Sequence, residues 1–276
     1  MMKALWQISR PLNVFIAFLS VFFSAWLVVD DPFTVLIIRT ALSAALVTAA
    51  ANVINDIFDL DIDRVNKPHR PLPAGRLSVS RAWWFYNGLN LLALILVIDQ
   101  PALLSIAAGS AWLLYLYSKT LKRLPFGGNL LVAVISGVAF LYGALAAGDV
   151  SAACFPALFA ALFHLARELI KDLEDVDGDR QYGARTLAVQ YGRTTVLKMV
   201  DAVFIILFSL LWLPFLVGLY NIYYIYMVMP GVAGVLLWCA LSLHQNSSVH
   251  NLARISMILK IDMLIGLVSI YAGVKL

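Results

Sequence analysis

The chain has 276 residues, 62% of them hydrophobic and 13% charged, against roughly 25% charged in a typical soluble domain, so composition excludes a soluble globular protein and points to the membrane. Its net charge of +4 is not a nucleic-acid signature, because the Lys and Arg residues fall in short segments between apolar runs, where they set membrane orientation. No hydrophilic stretch is long enough for a separate soluble domain, and residues 1–276 are read as a single integral-membrane domain.

Apolar runs able to cross about 30 Å of hydrocarbon lie near residues 11–29, 33–57, 82–98, 101–118, 126–147, 151–171, 195–216, 222–243 and 252–274. Runs this continuous satisfy their backbone in lipid as helices, so the expected fold is all-α, a polytopic bundle of nine transmembrane helices. Lys3 and Arg10 precede the first run in the manner of a signal peptide, but no Ala-x-Ala-like site follows and more spans do, so the run is read as the first span. Bases crowd the connections after the second, fourth and sixth runs (Arg64, Lys67, Arg70, Arg76 and Arg81; Lys119, Lys122 and Arg123; Arg180, Arg185 and Arg193), whereas the opposite connections carry Asp30, Asp31, Asp99 and Asp149. The positive-inside rule then predicts a multi-pass protein of the cell membrane with a cytoplasmic amino terminus.

The second run ends in Asn52-Val-Ile-Asn-Asp-Ile-Phe-Asp-Leu-Asp-Ile-Asp63. At 100° per residue, Asn52, Asp56, Asp59 and Asp63 fall within roughly 60° of one another and Asp61 points away. The sixth run ends in the same spacing: Asp172, Asp175, Asp177 and Asp179, with Glu168 standing where Asn52 stood. Two matching stripes at the cytoplasmic ends of two helices point to one shared site facing the cytoplasm. Between them, residues 66–75 contain three prolines and a glycine and are expected to form a turn-built loop.

The six in-face carboxylates are Asp56, Asp59, Asp63, Asp172, Asp175 and Asp179. With no cysteine nearby they describe a hard-cation site and favour Mg²⁺. Cations beside each cluster add what a diphosphate needs for binding and departure, so the expected substrate is an amphiphile with a diphosphate head and a greasy tail. The 33 aromatic residues could house that tail. Asp61, Glu174 and Asp177 lie off the shared faces and are read as solvated or ion-paired. His164 is read as a hydrogen-bonded structural residue, and Cys154 and Cys239, far apart in apolar runs, as small core hydrophobes.

Asn55-Asp56-Ile-Phe-Asp59-Leu-Asp-Ile-Asp63 resembles the N-D-x-x-D-x-x-x-D signature of the UbiA-type intramembrane prenyltransferases. Asp175-Val-Asp-Gly-Asp179 resembles their second motif, and Tyr115-Leu-Tyr-Ser-Lys119 their Y-x-x-x-K. The resemblance implies Mg²⁺-dependent transfer of a prenyl group from a prenyl diphosphate to a lipid-soluble acceptor, with Asp59 and Asp175 essential to catalysis. It implies that Asp56, Asp59, Asp63, Asp175 and Asp179 hold metal, Asp172 being added from the helical face, and that Tyr115 and Lys119 contact the diphosphate. Asn52 and Asn55 are expected to support the head group, with Lys171 as a further phosphate contact. The segments 66–75, 121–129 and 140–143 look most like the branch that adds the second ether of digeranylgeranylglyceryl phosphate. For that branch's acceptor, geranylgeranylglyceryl phosphate, Arg10, Asn13, Lys67, Arg70 and Arg185 are candidate contacts. Branches with aromatic acceptors share the acid motifs. An ion-coupled transporter is the reading of another class, but its acids would sit near the midplane and need no phosphate-binding bases. A CDP-alcohol phosphotransferase is set aside because Asp177-Gly178 lacks the rest of its signature.

Overall fold

A computed structural model describes residues 1–276, and every regular element in it is helical. The elements are α1 (Met2–Ser9), α2 (Pro11–Val28), α3 (Val35–Phe58), α4 (Leu60–Asn66), α5 (Val79–Ile95), α6 (Pro101–Lys119), α7 (Gly127–Ala147), α8 (Cys154–Glu174), α9 (Val176–Gln181), α10 (Leu187–Leu210), α11 (Leu213–Leu216), α12 (Ile222–Val228), α13 (Gly234–Gln245) and α14 (Val249–Lys275). All nine expected runs fold as helix, and eight of them are long and apolar enough to cross a membrane. The exception is α5, whose 17 residues span about 25 Å at 1.5 Å per residue. The expected count of nine therefore rests on a shorter third helix, which begins earlier than the predicted residue 82 because Ser78 caps its N-terminus. The seventh span starts late for a visible reason: Gly192, at φ 77° and ψ 167°, interrupts α10. The eighth is α12 and α13 joined through a π-helical turn, Met229–Ala233, that contains Pro230.

The chain divides into two compact units, one of residues Met1–Leu124 and Val138–Ala153, the other of Pro125–Gly137 and Cys154–Leu276. In the first, α3 is the central helix. Its apolar window is 61% buried against 28% for α2 and 17% for α6, and its buried residues are mostly small, including Thr40, Ala41, Ser43, Ala45, Ala49 and Ala50. Small side chains let helices approach closely in lipid, where packing replaces the hydrophobic effect as the cohesive force. A second cluster, Ala4, Ile8, Val53, Leu72, Leu77 and Ala82, fastens α1 and the proline loop onto α3 and α5. Arg76 strengthens that attachment by donating to Gln7 Oε1 at 2.7 Å and to the His69 carbonyl at 2.5 Å. In the second unit, α8 packs on α10 and α14, and α12 packs on α14.

The segment Phe140–Gly143 serves packing within the first unit. The Ser24 hydroxyl donates to the Phe140 carbonyl at 2.5 Å, and the buried Tyr142 hydroxyl donates to Ser43 Oγ at 3.3 Å. Gly143 lies so close to α2 that a methyl group there would run into the Val21 carbonyl. Gly143→Ala should therefore cost about 1–3 kcal/mol of stability. Gly109→Ala is the control: its site is open on α6 and should gain up to ~1 kcal/mol in helix propensity. Thermal unfolding of the two purified variants in one detergent measures both, and equal midpoints would refute the packing role.

Candidate active site

The first acid stripe does not lie on one continuous helix. Asp59, at φ −89° and ψ 3°, ends α3 and opens α4, a bridge-region conformation that redirects the chain without unwinding it. The helical register survives the break: Asn52, Asp56, Asp59 and Asp63 are all buried, while Asp61 is exposed and pairs with Arg64 at 2.7 Å. Burying three carboxylates requires compensation. Arg10, held left-handed at φ 53° between α1 and α2, pairs with Asp56. Arg70, from the proline loop, bridges Asp56 at 3.2 Å and Asp63 at 2.6 Å. Lys122, on the short 3₁₀ turn Leu121–Arg123, pairs with Asp59 and lies 3.4 Å from Asn55 Oδ1. The Asn55 amide donates to Asp59 Oδ2 at 2.8 Å. At the mouth of α2, Asn13 donates to Asn52 Oδ1 at 3.4 Å, and Asn52 donates to the Ser9 carbonyl at 2.9 Å.

These surroundings separate the two acids of α4's first turn and cap. Burial works to raise the Asp59 pKa, yet the Lys122 charge and hydrogen bond, with Arg70 and Arg10 behind them, outweigh it and hold the carboxyl below its usual range. For Asp63 burial prevails: Arg70 opposes it, the neighbouring Asp56 and Asp59 add to it, and the pKa lies above the usual range. Arg70 is partly desolvated, but its three acid neighbours hold its pKa above the ordinary guanidinium value, so it stays charged.

The second stripe repeats the backbone. Asp175, at φ −95° and ψ 4°, ends α8 and opens α9 as Asp59 does for α3 and α4. Its amide donates to the Lys171 carbonyl at 2.9 Å and Asp179's amide donates to the Asp175 carbonyl at 3.0 Å, matching Asp59 to Asn55 and Asp63 to Asp59. Here too the stripe faces inward, with Glu168 and Asp179 buried, Asp172 and Asp175 half-buried, and Asp177 exposed. The buried Asn129 amide donates to Asp172 at 3.1 Å, and Lys171 pairs with Glu168 at 2.7 Å. Arg167 donates to the Ser256 carbonyl at 3.1 Å.

The other expected contacts Lys67 and Tyr115 are half-buried, and Lys119 and Arg185 are exposed. Lys119 lies over the Tyr115 ring at 5.8 Å, and that ring packs edge-on against Phe58 at 5.7 Å. Lys122, three residues on, is the base that reaches Asp59, because the 3₁₀ turn folds it back toward α3. Lys122 and Asn129 were missed in the sequence; both fall in the segment 121–129, but no periodicity places a side chain on a turn. No three Asp, Glu, His or Cys side chains are grouped closely enough to hold a metal ion as they stand. The donor chemistry nevertheless fits Mg²⁺: the stripes offer carboxylate oxygen, flanked by amides, with neither thiolate nor imidazole among them. In the first unit, bases stand hydrogen-bonded to those same carboxylates, so a metal-bound diphosphate would meet oxygen donors and cations together.

The model of the UbiA prenyltransferase family matches residues 15–261. Digeranylgeranylglyceryl phosphate synthase of Methanopyrus kandleri is 35% identical over 273 residues, 99% of each chain. A solved structure from work on digeranylgeranylglyceryl phosphate synthase in membranes superimposes with a TM-score of 0.78 at 29% identity, over 100% of this chain and 99% of that one. A UbiA homologue from Archaeoglobus fulgidus, solved with DMAPP and Mg²⁺, shares the fold with a TM-score of 0.69 at 18% identity, over 96% of this chain and 98% of that one.

Proposed function

This chain belongs to the UbiA prenyltransferase family, and from that premise we propose that it transfers a geranylgeranyl group from geranylgeranyl diphosphate to the free hydroxyl of geranylgeranylglyceryl phosphate, forming the second ether of an archaeal-type lipid. Full-length similarity to a synthase of that name carries the reading. Six acidic residues are proposed for metal: Asp56, Asp59 and Asp63 of the first stripe, and Asp172, Asp175 and Asp179 of the second. Mg²⁺, when bound there, offsets the charge of the diphosphate and favours its departure. Arg10, Arg70 and Lys122, already hydrogen-bonded beside the acids, would turn their N–H groups to phosphate oxygens. Lys171, Lys119 and Tyr115 are proposed as further head-group contacts, with Asn52 and Asn55 fixing the acids. Asn13, Lys67 and Arg185 remain proposals for the acceptor's phosphate end.

In the step itself the allylic carbon–oxygen bond breaks and the diphosphate leaves with the electron pair. The glycerol hydroxyl oxygen then bonds to the freed carbon and gives up its proton. Exclusion of water from the site would keep it from competing for the cation. The basic connections support a site on the cytoplasmic side, with the amino terminus inside.

The test is turnover by purified protein in nanodiscs with Mg²⁺ and geranylgeranyl diphosphate, offering geranylgeranylglyceryl phosphate or 4-hydroxybenzoate. The expected product is the doubly alkylated glycerol phosphate with release of one diphosphate. Preferential prenylation of the aromatic acid would overturn the ether-lipid assignment, and no turnover with either would overturn the activity.

A further inference from the structure

Arg254 stands about 8 Å past the first residue of α14, at 1.5 Å per residue, in a helix long and apolar enough to cross a membrane. Its neighbour Ser256 is buried and accepts from Arg167 of α8 at 3.1 Å, so this end of α14 is level with the acid-bearing end of α8. Arg254 projects the other way and is exposed. No carboxylate pairs with it. Its guanidinium lies over the ring of Trp238, on α13, at 5.3 Å, inside the ~6 Å reach of a cation–π contact. Trp238 is itself 40% exposed. At 100° per residue Met257, Ile261, Ile265 and Val268 all fall within roughly 60° of Arg254, and each is between 38% and 52% exposed. The arginine thus heads an outward apolar stripe that runs on for about 21 Å.

Charge and position narrow the occupant. A guanidinium keeps its charge at any pH the protein meets, and leaving it against hydrocarbon without an anion is costly. The indole covers one face of the guanidinium plane and leaves the N–H groups at its edge without an acceptor. A phosphate matches that edge: two of its oxygens accept from the planar fork in parallel, and its charge offsets the cation. His250, exposed and one turn nearer the start of α14 on the same face, adds a ring N–H beside it. The stripe decides between a free phosphate and a lipid. A cation at the head of a lipid-facing stripe, level with a helix end, meets the head group of the lipid whose chain lies on that stripe.

We propose that Arg254 and Trp238 form a binding site for the phosphate of an anionic membrane lipid, the guanidinium donating to two phosphate oxygens and the lipid chain lying along the stripe from Met257 to Val268. The site is on the outer face of α14, apart from the acid stripes, and does not depend on the proposed transfer reaction.

Native mass spectrometry of the full-length protein, released from detergent after titration with phosphatidylglycerol, reads the affinity of each bound lipid. Arg254→Gln should weaken one phosphatidylglycerol site by about tenfold, the loss of a charge-assisted hydrogen-bonded contact. Trp238→Leu should weaken the same site by about threefold, and the double variant should be no weaker than Arg254→Gln alone, because the ring acts through the guanidinium. Arg193→Gln, which removes an exposed cation of α10, should leave every affinity unchanged. Any lipid phosphate held by the cations of the acid stripes is common to all these variants and drops out of the comparison. Diacylglycerol with the same chains should not fill the site, and inorganic phosphate at equal concentration should not displace the lipid. Unchanged affinity in Arg254→Gln, an equal loss in Arg193→Gln, equal binding of diacylglycerol, or displacement by inorganic phosphate would each overturn the proposal. Should Arg254→Gln fail to fold, Arg254→Lys keeps the charge without the fork and should still weaken the site by about threefold; wild-type affinity there would overturn it equally. No readout involves prenyl transfer, so failure here is distinct from failure of the proposed activity.

Discussion

Replacing Asp59 or Asp175 by Ala should lower prenyl transfer by about a thousandfold while leaving the protein folded. Each stands at a helix break, at φ −89° and −95°, and each is the middle acid of its inward stripe. If each carboxylate helps hold a metal that offsets leaving-group charge, its loss removes about 4 kcal/mol of transition-state stabilisation, which at 1.36 kcal/mol per decade is three decades in rate. Asp61→Ala supplies the comparison: that carboxylate is exposed and paired only with Arg64, also exposed. An exposed pair contributes about 0–1 kcal/mol, so activity should stay within about fivefold of wild type. Single-turnover rates for the three variants, at saturating Mg²⁺ and both substrates, decide the matter. An Asp61→Ala rate as low as that of Asp59→Ala would refute the division of the stripe.

Arg70→Met should be the most destabilising change at the first stripe. Arg70 is four-fifths buried and serves two carboxylates, Asp56 at 3.2 Å and Asp63 at 2.6 Å. Asp56 retains Arg10, but Asp63 loses its bridging partner. Removing one member of a buried pair costs about 3–5 kcal/mol because the other charge is left uncompensated. Asp63 moderates this by taking up a proton more readily than an ordinary carboxyl, since burial raises its pKa, so the lower end, about 3 kcal/mol, is expected. The double variant Arg70→Met with Asp63→Asn should recover most of the loss. Thermal unfolding of wild type and the two variants, in one detergent, is the measurement; a double variant no more stable than the single would show that Arg70 acts through packing of the proline loop instead.

Much of this site was legible as periodicity. The 100° rule separates exposed Asp61 and Asp177 from buried Asp56, Asp59, Asp63, Glu168 and Asp179, while Asp172, Glu174 and Asp175 are all half-buried and are not distinguished by it. The breaks at Asp59 and Asp175 were not legible, because aspartate carries no strong signal within a helical pattern and a bridge-region residue barely disturbs the register. Lys122 was hidden for a different reason: its reach to Asp59 depends on a 3₁₀ turn whose direction is set by tertiary packing. The apolar runs located the helices, but a 17-residue α5 shows that a run's edge in sequence is not its edge in space.

At position 10 backbone strain and charge compensation oppose each other. Arg10 holds a left-handed backbone that costs an ordinary side chain roughly 1–2 kcal/mol and costs glycine almost nothing. Arg10→Gly would relieve that backbone but leave the buried Asp56 with Arg70 alone, so the side chain trades local strain for charge compensation.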